Sequence, residues 1–273
     1  MADNATCSKF PEHSAGARQS SGSPPETEIL EEGLRILCRN NPDAHELIAP
    51  RHEQITALLC AYIAEIETQN PALGLVGTRD RQELIKRHIL DSLAPLGIFC
   101  RLLKERSQGH KPRIADVGSG AGLPGIPLAI ALPHVELFLV ERMGRRAAFL
   151  RSARETLALP NVTIVEDELE KYAHNLIARE KSGSGRFDLV TFRAFRPFEP
   201  KIIKGLFRLC APCGVIAAYK GKLEKTRAEI SELENYLAGP GNKSKITLSR
   251  CEIIPCPTPL LEEERHIALM FTQ

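Results

Sequence analysis

The chain has 273 residues, of which 43% are hydrophobic and 26% charged, and its formal net charge at pH 7 is +2. It contains no apolar run of ~18 residues that could span a bilayer, and so small a net charge does not by itself imply a polyanionic partner. We therefore expect a soluble, cytoplasmic, globular protein that does not enter a membrane.

Composition and apolar spacing divide the chain into three parts. Residues 1–25 are rich in Ser, Pro, Gly, Asn and Ala and lack the apolar core of a signal peptide, which predicts a disordered tail. Residues 26–110 carry apolar residues at three- and four-residue spacing and predict a separate N-terminal helical subdomain, with helices at 26–38, 44–68 and 82–103. Residues 111–273 form the main domain.

The main domain begins with a short apolar strand at 113–117, which runs into closely spaced glycines and then into an apolar helix starting near Pro124. Gly118, Gly120 and Gly122 can adopt backbone angles forbidden to residues with a Cβ, and they let a ligand approach the main chain. Free N–H groups in the first helical turn favour an anionic ligand group. The pattern predicts a nucleotide-cofactor loop, although a tight strand-to-helix turn would use the same glycines.

Glu141 follows the next apolar strand, at 136–140. It lies roughly 20 residues after the glycines, the distance at which an acid commonly binds ribose hydroxyls. Gly120, Gly122 and Gly125 also satisfy the dinucleotide G-x-G-x-x-G spacing. On these residues alone, an NAD-dependent dehydrogenase and a nucleotide-binding module without chemistry remain alternatives.

The rest of the chain alternates short apolar runs with helical segments, which is typical of an α/β fold with a parallel sheet between helices. Helices are predicted at 126–131, 145–158, 169–180, 199–210 and 223–237. Two late apolar segments extend the sheet to seven strands, at 113–117, 136–140, 162–165, 187–192, 215–219, 246–254 and 266–271.

Eight cysteines raise the question of a metal site. Cys210 and Cys213 have a two-residue spacer, but they lie where a helix must turn into the next strand, before the strand at 215–219. Cys251 and Cys256 lack the spacing of a zinc knuckle. We therefore expect free thiols and no metal.

Several motifs together resemble one known family. They are D-V-G-S-G-A-G-L-P-G-I-P at 116–127, R-H-I-L-D-S at 87–92, R-A-F at 193–195 and K-G at 220–221. In this order they resemble the bacterial small-subunit rRNA guanine-N7 methyltransferases, also called glucose-inhibited division protein B. The resemblance extends from about residue 73 to E-R-H at 264–266. Only the N-terminal tail and the loop at 181–185 are additions.

The resemblance implies transfer of a methyl group from S-adenosylmethionine to N7 of a guanine in 16S rRNA, on a seven-stranded Rossmann-like methyltransferase fold. The implied partner is 16S rRNA or the small ribosomal subunit, and we expect a monomer. Gly118 and Leu123 match contacts to the methionine half of the cofactor, Leu169 and Glu170 match a pair around the adenine, and Glu141 stands where relatives often have Asp. The expected cofactor residues are Gly118, Gly120, Leu123, Glu141, Leu169, Glu170 and Arg193.

The implied reaction asks for positioning rather than proton transfer. N7 of guanine has an in-plane lone pair and no proton, so no general base is expected. Arg193 and Lys220 follow the fourth and fifth strands and are expected on the substrate side, Arg193 at the cofactor and guanine O6, and Lys220 at phosphate or O6. Residues 193–227 contain nine Lys or Arg and two Glu, a local net charge of +7. This favours RNA contact, although a charge run is also typical of an exposed helix face.

Arg87 and Asp91 are four residues apart on a predicted helix and can pair on one face. The pair either docks the helices onto the main domain or contacts RNA, and the sequence leaves both roles open. His88 is then expected to point elsewhere, toward the substrate.

Overall fold

The computed structural model describes residues 25–107, 109–179, 185–193, 200–240, 242 and 246–272. Its seven strands form one sheet in the order β3-β2-β1-β4-β5-β7-β6. The predicted seven-stranded α/β methyltransferase fold is confirmed. The strands are β1 (Arg113–Val117), β2 (Glu136–Val140), β3 (Val162–Val165), β4 (Phe187–Arg193), β5 (Cys210–Lys220), β6 (Leu248–Pro255) and β7 (His266–Thr272).

Five neighbouring strands are parallel, from β3 to β5, and β7 runs antiparallel to both of its neighbours, β5 and β6. The chain crosses through α11 to the edge strand β6, and β7 then returns to lie between β5 and β6. The glycines, Glu141, Arg193 and Lys220 follow or end parallel strands and therefore lie at one edge of the sheet.

The helices between the strands are close to those predicted. They are α7 (Gly125–Ala131), α8 (Gly144–Thr156), α9 (Leu169–Arg179), α10 (Pro200–Leu209) and α11 (Leu223–Ala238). None of the helices in the described ranges combines the length and apolarity needed to cross a bilayer.

Two of the predicted N-terminal helices are interrupted. The segment at 44–68 is divided by the 3₁₀ turn Ala49–Arg51, where Pro50 cannot donate a helical hydrogen bond. The segment at 82–103 contains the π-helix Ile85–Leu90. It is also interrupted at Pro95, after which a new helix begins. The elements are α1 (Pro25–Asn40), α2 (Pro42–Ile48), α3 (His52–Leu73), α4 (Arg81–Leu84), α5 (Asp91–Leu93) and α6 (Leu96–Arg106).

These N-terminal helices share one hydrophobic cluster with a face of the sheet. Leu30, Ile63 and Phe99 are fully buried in the same cluster as Ile114 of β1 and Leu137 of β2. The helices therefore do not enclose a core of their own, and the division of the chain near residue 110 stays a prediction. Of the tail predicted at 1–25, residues 1–24 lie outside the described residues, and residue 25 begins α1. Residues 181–184 of the loop at 181–185 also lie outside the described residues.

β5 begins at Cys210, five residues earlier than predicted. Cys210 pairs with Phe187, and the register then shifts before Val215 pairs with Leu189. The residues predicted as a turn thus form an irregular start of the strand, in which Cys213 has a left-handed φ of 61°. Cys213 is exposed, and it lies at the opposite end of the strand from Lys220.

Candidate active site

The loop after β1 has the conformation that its glycines predict. Gly118, Gly120 and Gly122 have φ values of 70°, 57° and 88°, in the left-handed region that residues with a Cβ rarely adopt. A Cβ on Gly122 would lie 2.6 Å from Ile126, so packing also requires this glycine. A Cβ on Gly120 would meet nothing closer than the Gly118 carbonyl oxygen at 3.8 Å, so the loop is open at this position.

Most backbone groups of this loop are already hydrogen bonded. The N–H groups of Gly118 and Ser119 donate to the Val140 carbonyl at the end of β2, and that of Gly122 donates to the Ser119 carbonyl. Within the described residues, the peptide joining Gly120 to Ala121 is the one peptide of the loop with neither its carbonyl nor its N–H bonded to protein. A carbonyl and an N–H that point in opposite directions from this peptide are therefore left without a protein partner.

Glu141 is buried behind the same loop, with 4% of its surface exposed. One carboxylate oxygen accepts the Gly120 N–H at 2.9 Å and the other accepts the Met143 N–H at 2.8 Å. Each oxygen keeps a second lone pair. Glu141 therefore holds the glycine loop in shape, and its predicted role at the ribose stays a prediction.

Asp116, at the end of β1, is a fully buried carboxyl group to which the sequence assigned no role. Its Oδ2 accepts the Gly125 N–H at 3.0 Å, and its Oδ1 has no partner among the described residues. Burial raises the pKa of Asp116 to about 7, because the charged form loses its hydration and the Gly125 N–H only partly offsets that loss.

Arg193 ends β4 and is held by the R-H-I-L-D-S segment. Its guanidinium donates to Asp91 Oδ2 at 3.0 Å, to the His88 carbonyl at 3.2 Å and to His88 Nδ1 at 3.2 Å. The other oxygen of Asp91 accepts from Arg265 Nε and from the Thr258 hydroxyl, both at 3.0 Å. Asp91 thus joins the N-terminal helices, the end of β4 and the segment before β7.

His88 is neutral in this arrangement. Burial is the larger cause, and the neighbouring Arg193 the second, of a fall in the pKa of His88 to about 4. Because the Arg193 guanidinium can only donate, His88 Nδ1 accepts and the ring proton lies on Nε2.

The predicted Arg87–Asp91 ion pair is wrong. Arg87 pairs instead with Glu83, at 3.1 Å, and with Glu263. Asp91 is buried and its two carboxylate oxygens are taken by Arg193 and Arg265, whereas the side chain of Arg87 is 42% exposed and reaches the acidic side chains at the surface instead. His88 lies against Arg193, and its predicted direction toward the substrate stays a prediction.

A cavity of about 270 Å³ opens beside this network, lined by His88, Asp91, Arg193, Tyr219, Lys220 and Arg265 among others. Lys220 is 12% exposed and forms an ion pair with Glu229 of α11. The structure thus brings Arg193 and Lys220 to one cavity. The role of each toward cofactor or substrate stays a prediction.

Leu169 and Glu170, the residues predicted around the adenine, begin α9. Leu169 is 7% exposed, and its side chain lies against Gly205 of α10, whereas Glu170 is exposed. Leu123 is 6% exposed. Their contacts to a cofactor stay predictions.

Arg265 and Thr258 are residues of this region that sequence reasoning did not assign. Arg265 lies in the E-R-H motif at 264–266, which was the available signal. Thr258 lies in a proline-rich loop and belongs to no motif, so the sequence contained no signal for it. No group of three or more His, Cys, Asp or Glu side chains in the described residues is arranged to hold a metal ion.

Comparison with known proteins agrees with the resemblance. The family model for rRNA small subunit methyltransferase G, or GidB, matches residues 55–248. Ribosomal RNA small subunit methyltransferase G of Treponema pallidum (strain Nichols) is 35% identical over 244 residues, covering 85% of this chain and 96% of that protein. The protein of the same name from Klebsiella pneumoniae (strain 342) is 34% identical, covering 78% and 86%.

A solved structure, cofactor-bound Rv0187 from MTB, aligns with a TM-score of 0.48 and 17% identity over 80% of this chain and 88% of that chain. The family model and the relatives at 34–35% identity carry the assignment. The chain belongs to the rRNA small subunit methyltransferase G family.

Proposed function

We propose that this chain transfers the methyl group of S-adenosylmethionine to N7 of a guanine in the RNA of the small ribosomal subunit. The observation that carries the proposal is the unbonded Gly120–Ala121 peptide, which lies at the same sheet edge as the cavity beside Arg193 and Lys220. In open α/β sheets, ligands bind outside the carboxyl ends of the parallel strands. Family membership favours this activity over the dehydrogenase and the non-catalytic alternatives.

The residues present fit the cofactor. The open space at Gly120 lets a ligand approach the backbone, where the Gly120–Ala121 peptide makes no hydrogen bond to protein. Gly118, Gly120 and Leu123 would hold the methionine half, Glu141 the ribose, and Leu169 with Glu170 the adenine. When bound, S-adenosylmethionine supplies a methyl group on a cationic sulfur.

The chemistry requires the protein to position the guanine and to limit unfavourable charge. An unpaired cation pressed against the methyl group would oppose the reaction, because positive charge passes from the sulfur to the purine. Both candidate cations have carboxylate partners. Arg193 pairs with Asp91, and Lys220 pairs with Glu229. We assign them to groups that stay negative or electron-rich, namely guanine O6 and phosphate.

His88 is not suited to act as a base here. Its Nδ1 already accepts from Arg193, and its pKa of about 4 makes it a weak proton acceptor at neutral pH. This agrees with N7 chemistry, in which no proton has to be removed.

RNA phosphates are proposed to lie over the start of α11. Lys222, Lys225 and Arg227 are exposed there, directly after Lys220. Replacing all three by Ala should reduce the slope of log affinity for RNA against log salt by about 2, at roughly 0.7 for each phosphate that is no longer neutralised. The matched control removes three exposed cations elsewhere, Arg35, Arg101 and Lys104. An equal change in both variants would argue against this surface.

Single-turnover methylation of small-subunit RNA from pH 6 to 9, with cofactor and RNA saturating, tests the mechanism. Lys220→Ala should slow methylation about tenfold or more. Arg193→Lys should slow it by a similar factor, because Lys lacks the planar fork of Arg. Arg35→Ala should react at the normal rate. The wild-type rate should lack a tenfold loss per pH unit toward acid, and such a loss in a protein that still folds and binds would contradict the positioning mechanism.

Calorimetric titration tests the cofactor assignment independently of activity. We expect S-adenosylhomocysteine to bind and NAD to give no heat. Binding of NAD without binding of S-adenosylhomocysteine would overturn the proposed function.

A further inference from the structure

Tyr62 of α3 reaches into the cofactor loop from the N-terminal helices. Its hydroxyl donates to the Ala121 carbonyl at 2.5 Å, across 59 residues of sequence, and its side chain is fully buried. Burial raises the pKa of Tyr62 well above its ordinary value. The phenol therefore keeps its proton and acts as a donor.

The hydrogen bond from Tyr62 completes the fixing of one peptide in the loop. In the peptide joining Ala121 to Gly122, the carbonyl accepts from Tyr62 and the N–H donates to the Ser119 carbonyl at 2.7 Å. A Cβ on Gly122 would come within 3.1 Å of the Tyr62 hydroxyl. The glycine and the tyrosine therefore fit each other closely.

The peptide on the other side is fixed in the same way. In the peptide joining Ser119 to Gly120, the N–H donates to Glu141, and the carbonyl accepts from Gly122 and Leu123. The free Gly120–Ala121 peptide thus lies between two peptides whose planes are both held by protein groups. Its own carbonyl and N–H have a set direction although they make no bond to protein.

The hydroxyl of Tyr62 is separable from its ring in this role. The ring fills space in the cluster shared by α3 and the sheet, which a phenylalanine would fill equally well. Only the hydroxyl reaches the loop, and without it the buried Ala121 carbonyl would lose its donor.

We infer that Tyr62 is a positioning residue for the cofactor, which acts through the Ala121 carbonyl to aim the Gly120–Ala121 peptide at S-adenosylmethionine. The inference rests on the proposed function. It assigns the N-terminal helices a part in cofactor binding, in addition to their packing against the sheet.

Tyr62→Phe tests the inference by calorimetry with S-adenosylhomocysteine. The Kd should rise about 5- to 20-fold, because only about a fifth to a twentieth of the free protein would then keep the peptide in its binding direction. In turnover with RNA, the KM for S-adenosylmethionine should rise similarly, while kcat and the Kd for RNA change less than twofold. A residue that only supports the fold would not produce this split.

Thr272→Val is the matched control. It also removes a hydroxyl that donates to backbone carbonyls, those of Ala211 and Gly214, but at the opposite edge of the sheet. The control should lose melting temperature comparably and keep its Kd for S-adenosylhomocysteine. An unchanged Kd in Tyr62→Phe, with normal binding by the wild type, would overturn the inference alone.

The wild-type protein provides a second test that does not depend on a variant folding. In an amide NMR spectrum, S-adenosylhomocysteine should shift the Ala121 N–H and slow its hydrogen exchange more than it does those of Gly120 and Gly122, which are already bonded. An unaffected Ala121 amide in the bound protein would contradict the inference. Failure of the wild type to bind at all would overturn both this inference and the proposed function.

Discussion

Two corners of the same sheet edge are built in opposite ways. The glycine corner, Gly118–Leu123 with Glu141, is formed mainly by backbone groups that are close in sequence. The arginine corner, Asp91 with His88, Arg193 and Arg265, is formed by side chains, and Asp91 is 102 and 174 residues from its two arginine partners. The first corner depends on backbone conformation and the second on paired charges from distant elements.

The two constructions should fail differently when altered. In the glycine corner, removing one hydrogen bond changes the direction of backbone groups and should appear mainly as weaker cofactor binding. In the arginine corner, removing one charge leaves others buried without a partner, which should appear mainly as lower stability.

The largest effect is expected for Asp91→Ala. The carboxylate is 8% exposed and separates two guanidinium groups that are 13% and 23% exposed. Without it these cations lose their counter-charge, and the free energy of unfolding in urea should fall by about 3 kcal/mol. Asp43→Ala breaks an ion pair with the half-exposed Arg101 and should cost under about 1 kcal/mol. Equal losses in the two variants would show that the arginine corner is not held by buried charge.

The glycine corner could be predicted from sequence because its causes are local. The predicted bounds of β1 and β2 match the structure, and the three glycines adopt the positive φ values for which glycine is suited. Tyr62 was the exception. In sequence it is one apolar residue of a helical stripe, and only the fold brings its hydroxyl to Ala121.

The arginine corner could be predicted only in part. The topology of parallel strands correctly brings Arg193 and Lys220 to one edge. The predicted partner of Asp91 was wrong, because Asp91 is buried against Arg193 and Arg265, which come from other elements. Spacing rules within one helix also cannot predict partners from distant elements. Arg193 of β4 and Arg265 before β7 pair with Asp91, whereas Arg87 does not.

Glu141→Ala should give the next largest effect, on cofactor affinity. The variant removes the acceptor for the Gly120 and Met143 N–H groups, as well as the proposed ribose contact. Binding of S-adenosylhomocysteine should weaken by about 1.5–3 kcal/mol, the range for hydrogen bonds to a charged group. Glu141→Gln, which keeps one acceptor oxygen, should fall between this variant and the wild type.

The control for Glu141 is Glu166→Ala, which removes an exposed carboxylate that pairs with Arg151 of α8. Its cofactor affinity should equal that of the wild type. Unchanged affinity in Glu141→Ala as well would remove Glu141 from the cofactor site.

A smaller effect, visible only in acid, is expected from His88. Its folded pKa of about 4 lies below the ordinary 6.5, so the unfolded chain binds a proton first as the pH falls. Stability from His88 is therefore fully present above pH 6.5 and is lost as the pH falls toward 4. Between pH 6.5 and 5 the loss should be about 1 kcal/mol, less than the limit of ~1.4 per pH unit because the ring is partly exposed.

His88→Asn should remove this part of the pH dependence, since asparagine does not titrate. Urea unfolding of both proteins at pH 7, 6 and 5 gives the comparison. Equal losses of stability in the two proteins between pH 6.5 and 5 would show that His88 is not kept neutral by its burial beside Arg193.

The smallest effect is expected for Arg87→Ala, at the rim of the arginine corner. Arg87 is 42% exposed, and its partners Glu83 and Glu263 are 44% and 40% exposed, so solvent screens both pairs. The free energy of unfolding should change by under about 1 kcal/mol. Since Arg87 also borders the cavity, the free energy of unfolding of the variant and its affinity for RNA should be measured together. A stable variant that loses RNA affinity would extend the substrate surface to the rim. A loss in the free energy of unfolding close to that of Asp91→Ala would instead show that Arg87 belongs to the buried charge network.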